Sequence, residues 1–547
     1  MKKNLSLMLA GIICLCALSG CSKQNKEKLG KKDNKIGEVH DNQKTEIKKE
    51  LNVAVGSEIE DMNVHLYNGN MAMQNMVYER LVKNTEKGPI PWLAEKWEIS
   101  PDGTEYTFHL RKGVKFHDGT KFDAEAVKKN FDAIQANKEL HDWIPFSKAF
   151  KELKIVDENT VKIILNYAYY PTLTELGVVR PYKMISPNVF KNGGTKDGIS
   201  GDYGTGPYIV ENKNPKVSAT FAVNKNYWGA KPDIQKITFK VMPTGQTTLL
   251  ALEKGELNFL FTAYGTQNLI DADAIKDLEK KGKVQVVQSK PMATKFLAVS
   301  TANKNSAVSD KNVREAIWYA IDREGMIKTT LGGEEDIADT LFSKNVVYCD
   351  IDLKKRGFDP NKAKELLDKA GWKQKSGKEY RVKDGKELFI KIYYYSDKAG
   401  QKQMVEFIQS NLKNIGIKTE LIAEEAAAYY ERISTGDYEL MVEQTWGAPY
   451  DPPTTIGGLK SKFGFLSCIK GLENYEMLID DIDKLLKSTD ETIRQQLYAK
   501  VLSKLHDDVA FIPLTYTKVT VIAPKNLTNI VFSQSMKEMP FEEFKFK

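Results

Sequence analysis

The segment from residue 388 to 446 alternates between strand and helix patterns, and this alternation constrains the fold more than any other feature of the sequence. LFIKIYYYS (388–396) is dense in β-branched and aromatic residues, which favours a strand. KTELIAEE (418–425) is again strand-like. Between them, residues 399–416 have helical spacing, with an apolar face formed by Met404, Phe407, Ile408, Leu412 and Ile415. The three pieces form a βαβ unit, which requires parallel strands in one sheet and predicts an α/β fold.

A further strand-like run, YELMVEQTW (438–446), leads into the sequence TWGAPYDPP (445–453). The prolines of this loop fix φ and remove backbone donors, so the loop is stiff. It carries two large rings, Trp446 and Tyr450. Since α/β proteins place ligand loops at the C-terminal ends of strands, we expect both rings to border a ligand cleft.

The remaining patterns predict a mixed first half and a more helical second half. Strands are predicted near 50–58, 106–116, 160–167 and 512–524. Helices are predicted after the capping residue Asp123, over 313–328 and over 360–370, where Asp359, Pro360 and Gly371 supply start and stop signals. A chain of 547 residues exceeds one hydrophobic core, so at least two domains are expected.

The N-terminus, MKKNLSLMLAGIICLCALSGC, begins with Lys2 and Lys3 and continues with a short apolar stretch. This pattern is typical of a secretory signal peptide, not of a membrane span. LSGC (18–21) resembles the lipobox of bacterial lipoproteins. That resemblance implies a signal peptide over residues 1–20 and an acylated Cys21 that anchors the mature chain on the extracytoplasmic face of a cell membrane. The alternative is an ordinary signal peptide with a chance cysteine.

Residues 21–50 are predicted to form a flexible tether. They are polar and rich in lysine, and such a segment buries too little apolar surface to offset the entropy of ordering. With Lys2 and Lys3, the segment carries +5 of the formal charge of +7. The basic charge is therefore no argument for nucleic-acid binding, and we predict none.

Motifs for catalysis are missing from the sequence. It has no GxSxG, HExxH, Walker or dinucleotide-binding pattern, and none of its six histidines lies between residues 142 and 505. Cys349 and Cys468 are far apart without CxxC spacing, so they are either paired or, as we favour, free. The sequence predicts a protein that is not an enzyme, with no cofactor and no metal site built from its own side chains.

Long motifs in the chain resemble the large peptide- and nickel-type solute-binding proteins of ABC importers. They include residues 93–132 (LAEKWEISPDGTEYTFHLRKGVKFHDGTKFDAEAVKKNFD), GTGPYIV (204–210), VREAIWYAIDRE (313–324) and FDPNKAKELLDKAGW (358–372). They occur in the family's order, and the resemblance covers roughly residues 50–547. It implies an α/β fold of the periplasmic-binding-protein type (type II, large cluster C), with two lobes, a hinge and a ligand cleft between the lobes.

The implied domain boundaries follow from the same resemblance. Lobe I is expected over residues 51–290, with an inserted subdomain, and lobe II over 291–512. Residues 513–547 are expected to return to lobe I. The protein is expected to be a monomer that hands its ligand to the permease subunits in the membrane.

Within the family the chain is most similar to the nickel- and metallophore-binding branch. The segments that carry this similarity are NVHLYNGNMAMQNMVYERLV (63–82), AYYPTLTELGVVRPYKMISP (168–187), EDIADTLF (335–342) and TWGAPYDPP (445–453). The implied ligand is nickel, or another transition metal, wrapped by a small organic chelator. The alternative within the family is a di- or oligopeptide, and the alternative outside transport is a sensory or adhesive surface protein.

The resemblance assigns a set of binding residues. Arg180 would bind carboxylates of the chelate, because its planar and permanently charged guanidinium matches them, whereas the alternative is a surface or structurally paired arginine. The other matched pocket positions are Tyr67, Met71, Trp143, Trp446 and Tyr450. Each of these taken alone is more often a core residue, and a lone methionine is ordinarily core filler.

Two positions depart from the nickel-binding pattern. Leu140 stands where a second cleft arginine is expected, and Gly464 stands about where a metal-binding histidine is expected. Either the chelator satisfies the metal fully, with Lys460 or Lys462 binding its carboxylates, or Cys468 or His141 supplies a ligand. We favour the first interpretation, and Lys460 is included among the predicted site residues.

Overall fold

The computed structural model describes residues 48–547, except 57, 60, 68, 243–244, 263–271 and 399. The signal peptide, Cys21 and most of the tether therefore lie outside the described residues. The strands are β1 (Glu50–Val55), β2 (Val82–Thr85), β3 (Gly88–Pro91), β4 (Ala94–Ile99), β5 (Glu105–Leu110), β6 (Phe150–Asp157), β7 (Thr160–Leu165), β8 (Phe190–Lys191), β9 (Gly194–Ile199), β10 (Tyr208–Asn214), β11 (Ser218–Val223), β12 (Lys236–Val241), β13 (Leu260–Phe261), β14 (Gln285–Gln288), β15 (Ala293–Val299), β16 (Asp336–Ile337), β17 (Val382–Lys383), β18 (Lys386–Glu387), β19 (Phe389–Tyr395), β20 (Lys418–Glu424), β21 (Leu440–Gln444), β22 (Phe511–Thr517), β23 (Thr520–Ala523), β24 (Leu527–Thr528) and β25 (Lys545–Phe546).

The helices are α1 (Met71–Val77), α2 (Ala124–Ala136), α3 (Phe146–Ala149), α4 (Thr172–Leu176), α5 (Gly245–Glu253), α6 (Ala272–Lys280), α7 (Lys311–Ala320), α8 (Arg323–Thr330), α9 (Pro360–Lys369), α10 (Gln401–Asn414), α11 (Ala426–Thr435), α12 (Pro453–Gly458), α13 (Leu466–Lys470), α14 (Tyr475–Lys487) and α15 (Glu491–Asp507). Within the described residues, none of them has the length and apolar character needed to cross a membrane.

The first sheet has the order β1-β12-β11-β10, with β1 parallel to β12. Its buried face carries Val53, Phe221 and Phe239. Phe541 and Phe544 pack into the same core, so the C-terminal segment closes over a sheet that begins at residue 50. Strand β23 also returns to this part of the fold: it pairs with β13 and β14, and its Val521 and Ala523 pack into the same core. These contacts agree with the expected path of the chain, although the lobe boundaries themselves stay a prediction.

The second four-stranded sheet, in the order β4-β5-β7-β6, is antiparallel throughout. The predicted alternation is present in β5, where Tyr106, Phe108 and Leu110 are buried. Helix α2 begins as predicted, because the Asp123 side chain accepts a hydrogen bond from the Ala126 backbone amide at 2.9 Å. The apolar face of this sheet shares one core with helices α12, α14 and α15. Segments more than 300 residues apart in sequence thus pack together in one core.

The third sheet contains the predicted βαβ unit, in the order β16-β22-β15-β21-β19-β20. Strands β19 and β20 are parallel, and α10 connects them, burying Met404, Ile408 and Leu412. Strand β21 is parallel to β19. The TWGAPYDPP loop therefore leaves the sheet beside the C-terminal end of β19, at the edge where α/β folds place ligand loops.

Two element predictions were wrong in detail. The predicted helix over 313–328 is two helices, because Ile321 is extended and Asp322 caps a new start by accepting from the Gly325 amide at 2.9 Å. The predicted strand over 512–524 is β22 and β23, which pair in different sheets. In contrast, α9 has the predicted cap at Asp359 and ends before Gly371, whose φ is +86°. Cys349 and Cys468 are free and buried.

Candidate ligand-binding site

Four of the predicted site residues meet at one place and form what we call the aromatic cluster: Tyr67, Trp143, Trp446 and Tyr450. The rings of Trp143 and Trp446 are 4.5 Å apart between centroids and nearly perpendicular, at 85°. Tyr450 lies 5.8 Å from Trp143 and 5.9 Å from Trp446. Tyr67 lies 5.8 Å from Trp143. The contacts of Trp446 with Trp143 and with Tyr450 are edge-to-face, which is favourable because the positive ring edge meets the negative ring face.

The cluster is assembled from turns and a loop that lie far apart in the sequence. Tyr67 ends a short 3-10 helix (Val64–Leu66) that follows β1, and Trp143 lies in the turn between another 3-10 helix (Lys138–His141) and α3. Trp446 and Tyr450 come from the loop after β21. Because the three contributions are fixed to separate parts of the fold, any movement between those parts changes the spacing of the rings.

The loop that carries Trp446 and Tyr450 is held against β15 by Gly447. The φ of Gly447 is +78°, and a Cβ at this position would lie 2.6 Å from the backbone oxygen of Met292. The Gly447 carbonyl accepts from the amides of Tyr450 at 2.9 Å and Asp451 at 3.1 Å. A glycine is required here both for the backbone conformation and for the close approach, so it sets where the two rings lie.

Tyr67 has an unusual backbone and a well-bonded hydroxyl. Its φ is +60°, which is uncommon for a residue with a side chain. Its Oη accepts from the indole Nε1 of Trp143 at 2.8 Å and lies 2.8 Å from Nδ1 of His141. Burial raises the pKa of Tyr67, so the hydroxyl stays protonated at neutral pH. These bonds hold the ring in place and offset the cost of the left-handed conformation.

Arg180 supplies a positive charge beside this ring. The carbon at the centre of its guanidinium group lies 5.0 Å from the centroid of Tyr67, which is a cation–π geometry. The residue is half-buried and follows α4. A guanidinium is a planar, permanently charged donor whose geometry matches planar acceptors such as carboxylates. The structure thus brings Arg180 and the aromatic cluster together, and their role in ligand binding stays a prediction.

Two buried carboxylates support the site and were not singled out from the sequence. Glu175 on α4 accepts from the Phe146 amide at 2.8 Å, from the Tyr169 hydroxyl at 2.8 Å and from the Thr454 hydroxyl at 2.7 Å. Burial raises the pKa of Glu175 to about 7. The bond to Thr454 ties the helix before Arg180 to the helix after Tyr450. A lone acid in the apolar run PTLTELGVV was the available sequence signal.

The second of these carboxylates is Asp451, the neighbour of Tyr450. It accepts from the Thr455 hydroxyl at 2.6 Å and is almost fully buried. Burial raises the pKa of Asp451 to about 6. The loop therefore carries a group that changes its charge in the mildly acidic range.

The other two predicted site residues differ in their surroundings. Met71 begins α1 and is buried, but unlike Ala72 and Met73 it does not belong to the described core of the first sheet. Lys460 is exposed, and its ammonium group forms an ion pair with Asp483. Lys460 would have to leave Asp483 before its ammonium group could bind a chelate. The assignment of both residues to the site stays a prediction.

Two positions considered for a metal ligand, Gly464 and Cys468, do not offer one in this structure. Gly464 packs against the backbone of Gly458 so closely that no Cβ fits, which excludes a side chain there in this loop conformation. The Cys468 thiol lies 3.3 Å from the Tyr438 hydroxyl, and burial raises the pKa of Cys468 to about 12, so it remains protonated. Within the described part of the chain, no group of three or more His, Cys, Asp or Glu side chains is arranged to hold a metal ion.

Comparisons with known proteins identify the family. Residues 88–466 match the bacterial extracellular solute-binding proteins, family 5. The nickel-binding periplasmic protein of Escherichia coli (strain K12) is 37% identical over 499 residues, which is 91% of this chain and 94% of that protein. The chain belongs to family 5 of the bacterial extracellular solute-binding proteins.

A solved structure extends this similarity to three dimensions. NikA from Brucella suis, crystallised in complex with Fe(III)-EDTA, has a TM-score of 0.87 and 38% identity, covering 91% of this chain and 100% of that one. The family 5 chain described here thus has the two-lobed periplasmic-binding-protein fold that its sequence predicted. The dipeptide-binding protein of Escherichia coli (strain K12) is a more distant relative, 25% identical over 476 residues, or 81% of this chain and 84% of that protein.

Proposed function

We propose that this family 5 protein captures a chelated transition metal, with nickel as the first candidate, outside the cytoplasm and delivers it to an ABC permease. Arg180 and the aromatic cluster form the binding site, and acylation of Cys21 anchors the chain to the membrane. The chelator supplies most or all of the metal's ligands. The protein acts by closing its lobes over the complex and does not transform it.

The contact of Arg180 with the aromatic cluster is the observation that carries the proposal. Flat aromatic faces suit the surface of a chelate, and a guanidinium on one of them suits its carboxylates. Trp143 and Trp446 are 4.5 Å apart between ring centroids, so a complex held between them would have to separate the rings. A ligand held between two rings from separate parts of the chain would couple binding to closure.

The similarity to known proteins supports a metal complex over a peptide. The relative named for nickel is 37% identical, whereas the relative named for dipeptides is 25% identical. Leu140, which is about half exposed, stands where the nickel-binding pattern has a second arginine, and Lys460 is paired with Asp483. We therefore propose a chelate with fewer negative charges than one that needs two arginines.

The proposal is tested first by what the protein carries. Elemental analysis and mass spectrometry of the purified protein are expected to reveal a transition metal and a small carboxylate chelator. Calorimetric titration with Ni(II)–EDTA and with Ni(II)–nitrilotriacetate is expected to show binding, and both complexes should raise the melting temperature. Bound peptides, with thermal stabilisation by dipeptides and none by chelates, would replace this proposal with peptide transport.

The role of Arg180 is tested by substitution. R180A is expected to weaken chelate binding roughly 10- to 100-fold, since hydrogen bonds to a charged group contribute about 1.5–3 kcal/mol. R180K should lose less, because it keeps the charge but not the planar pair of donors. The matched control is R111A, which removes a guanidinium that lies 4.5 Å from the centroid of Trp228, outside the aromatic cluster. Equal affinities for R180A and wild type would remove Arg180 from the site.

A further inference from the structure

Two buried histidines lie near the candidate site, and their hydrogen bonding differs. His65 uses both ring nitrogens, with Nδ1 at 3.1 Å from the Thr195 hydroxyl and Nε2 at 3.0 Å from the Lys183 carbonyl oxygen. His141 uses only one, since its Nδ1 lies 2.8 Å from Tyr67 Oη while its Nε2 has no partner among the described residues. His141 is only 1% exposed. A buried polar atom without a partner costs about 1–3 kcal/mol, so this nitrogen calls for an explanation.

We propose that Nε2 of His141 is a ligand of the metal ion in the bound chelate. The inference rests on the proposed function, because it names a protein atom that completes the coordination of the cargo. It reverses the sequence-based preference for a chelator that satisfies the metal alone. It also assigns the histidine ligand to a position different from the one that Gly464 occupies.

The hydrogen bonds of Tyr67 suit this role. If Nδ1–H of His141 donates to Tyr67 Oη, the lone pair of Nε2 is available to a metal. Tyr67 Oη then accepts two N–H groups, from His141 and Trp143, which a hydroxyl oxygen with two lone pairs can do. Metal-binding histidines characteristically have the other ring nitrogen fixed by such a bond.

The charge state of His141 and the surroundings of the other candidate ligands support the same assignment. Burial lowers the pKa of His141 to about 4, so its imidazole is neutral at neutral pH, as a metal ligand must be. Imidazole nitrogen is a suitable ligand for nickel, copper and zinc. The thiol of Cys468 is protonated and bonded to Tyr438, and both nitrogens of His65 are occupied.

The position of His141 links metal binding to the aromatic cluster. Its carbonyl oxygen accepts from the Ile144 amide at 2.9 Å, so His141 and Trp143 belong to the same turn. Its ring lies 5.1 Å from the ring of Tyr67. A complex that separates Trp143 from Trp446 would therefore enter beside the residue that we assign as its ligand.

Two nickel complexes separate metal ligation from a purely structural role. Nitrilotriacetate leaves open positions on octahedral nickel, whereas EDTA can fill all six. H141Q is expected to weaken binding of Ni(II)–nitrilotriacetate roughly tenfold or more and that of Ni(II)–EDTA less than about threefold. Equal losses for both complexes, or no loss for either, would overturn the inference. Failure of wild type to bind either complex would instead overturn the proposed function, and this inference with it.

X-ray absorption supplies a readout that a structural role would not change. Nitrilotriacetate contains no imidazole, and the experiment uses protein without a histidine tag in a buffer without imidazole. Imidazole scattering around nickel in the wild-type complex must then come from a histidine of the protein. We expect this scattering in wild type and in the control H109Q, whose imidazole lies 3.3 Å from Glu98. It should be lost in H141Q. Its persistence in H141Q, or its absence from a fully loaded wild type, would show that His141 does not bind the metal.

Discussion

At the scale of single residues, the site depends on a glycine as much as on the aromatic side chains. The backbone of Gly447 passes close to Met292, the residue before β15, so the start of this strand positions the loop directly. Trp446 and Tyr450 flank this contact, and their rings reach Trp143 only because the loop turns at this point. The loop is stiff because of its prolines, as predicted, and also because of Gly447, a residue without a side chain.

Substitution of Gly447 separates the effect of conformation from that of crowding. G447A is expected to lower the free energy of unfolding by more than the roughly 1 kcal/mol of a left-handed alanine, because its Cβ also meets the Met292 carbonyl. Chemical denaturation measures this loss, and titration with Ni(II)–EDTA should show weaker binding. The matched control is G113A, where φ is also +78° but no atom of the described residues lies within 4 Å of the added Cβ. Equal destabilisation by the two variants would show that the contact with Met292 is not restrictive.

At the scale of secondary structure, local patterns predicted the elements well where one signal dominated. The βαβ unit of β19, α10 and β20 is present because its strands are dense in β-branched and aromatic residues and its helix has one continuous apolar face. The division between α7 and α8 was missed because both helices bury apolar residues with compatible spacing across the break. Asp322 was the available signal, since it is a capping residue within the run.

Only part of the candidate site could be predicted from the sequence. Family resemblance selected five residues that the structure brings together: Tyr67, Trp143, Arg180, Trp446 and Tyr450. The sequence alone did not reveal the bond between Glu175 and Thr454, which are 279 residues apart. Nor did it reveal that Asp483 pairs with Lys460. Such contacts depend on the tertiary arrangement of elements, which local periodicity does not encode.

Helix α4 carries Glu175, whose protonation makes the free energy of unfolding depend on pH. The pKa of Glu175 is about 7 in the folded chain, above its ordinary value of 4.5. Between these values the folded state binds more protons than the unfolded state, so the free energy of unfolding decreases as pH rises. The full effect is about 3 kcal/mol, at 1.36 kcal/mol for each pH unit of the shift. Asp451, with a pKa of about 6, adds a decrease in the same direction at lower pH.

E175Q is expected to remove the Glu175 part of this dependence. Denaturation at several pH values from 5 to 8 should show a smaller decrease in the free energy of unfolding for E175Q than for wild type. E98Q is the control, since the Glu98 side chain is 67% exposed and should leave the profile unchanged. A profile for E175Q that coincides with that of wild type would mean that Glu175 is not protonated in this range.

At the scale of the whole molecule, buried charges join the C-terminal segment to the first half of the chain. Arg80 binds both carboxylate oxygens of Glu538, at 2.6 and 3.0 Å, and Lys183 lies 3.4 Å from the same group. All three side chains are almost completely buried. Lys183 also donates to Asn75 at 2.9 Å, and its carbonyl oxygen lies 3.0 Å from His65. The C-terminal segment is thereby connected to the region that carries Tyr67 and Arg180.

The charge of Glu538 is therefore expected to matter for global stability. Burial by itself would raise its pKa, but Arg80 and Lys183 outweigh burial and hold the pKa of Glu538 at about 2. Because this value is below the ordinary 4.5, the unfolded state binds more protons in between. The ion pair contributes its full stability above pH 4.5 and loses it as pH falls toward 2.

E538Q tests this connection, because it leaves Arg80 buried without its partner. Such unpaired buried charges cost about 3–5 kcal/mol, so denaturation at pH 7 should show a loss of that size, and the loss should shrink as pH falls toward 2. The exposed pair of Lys83 and Glu543, 3.2 Å apart, offers a control within the same region. E543Q should change the free energy of unfolding by no more than about 1 kcal/mol. If E538Q and E543Q were equally mild, the C-terminal segment would be held by the packing of Phe541 and Phe544 alone, and the charges would be incidental to the fold.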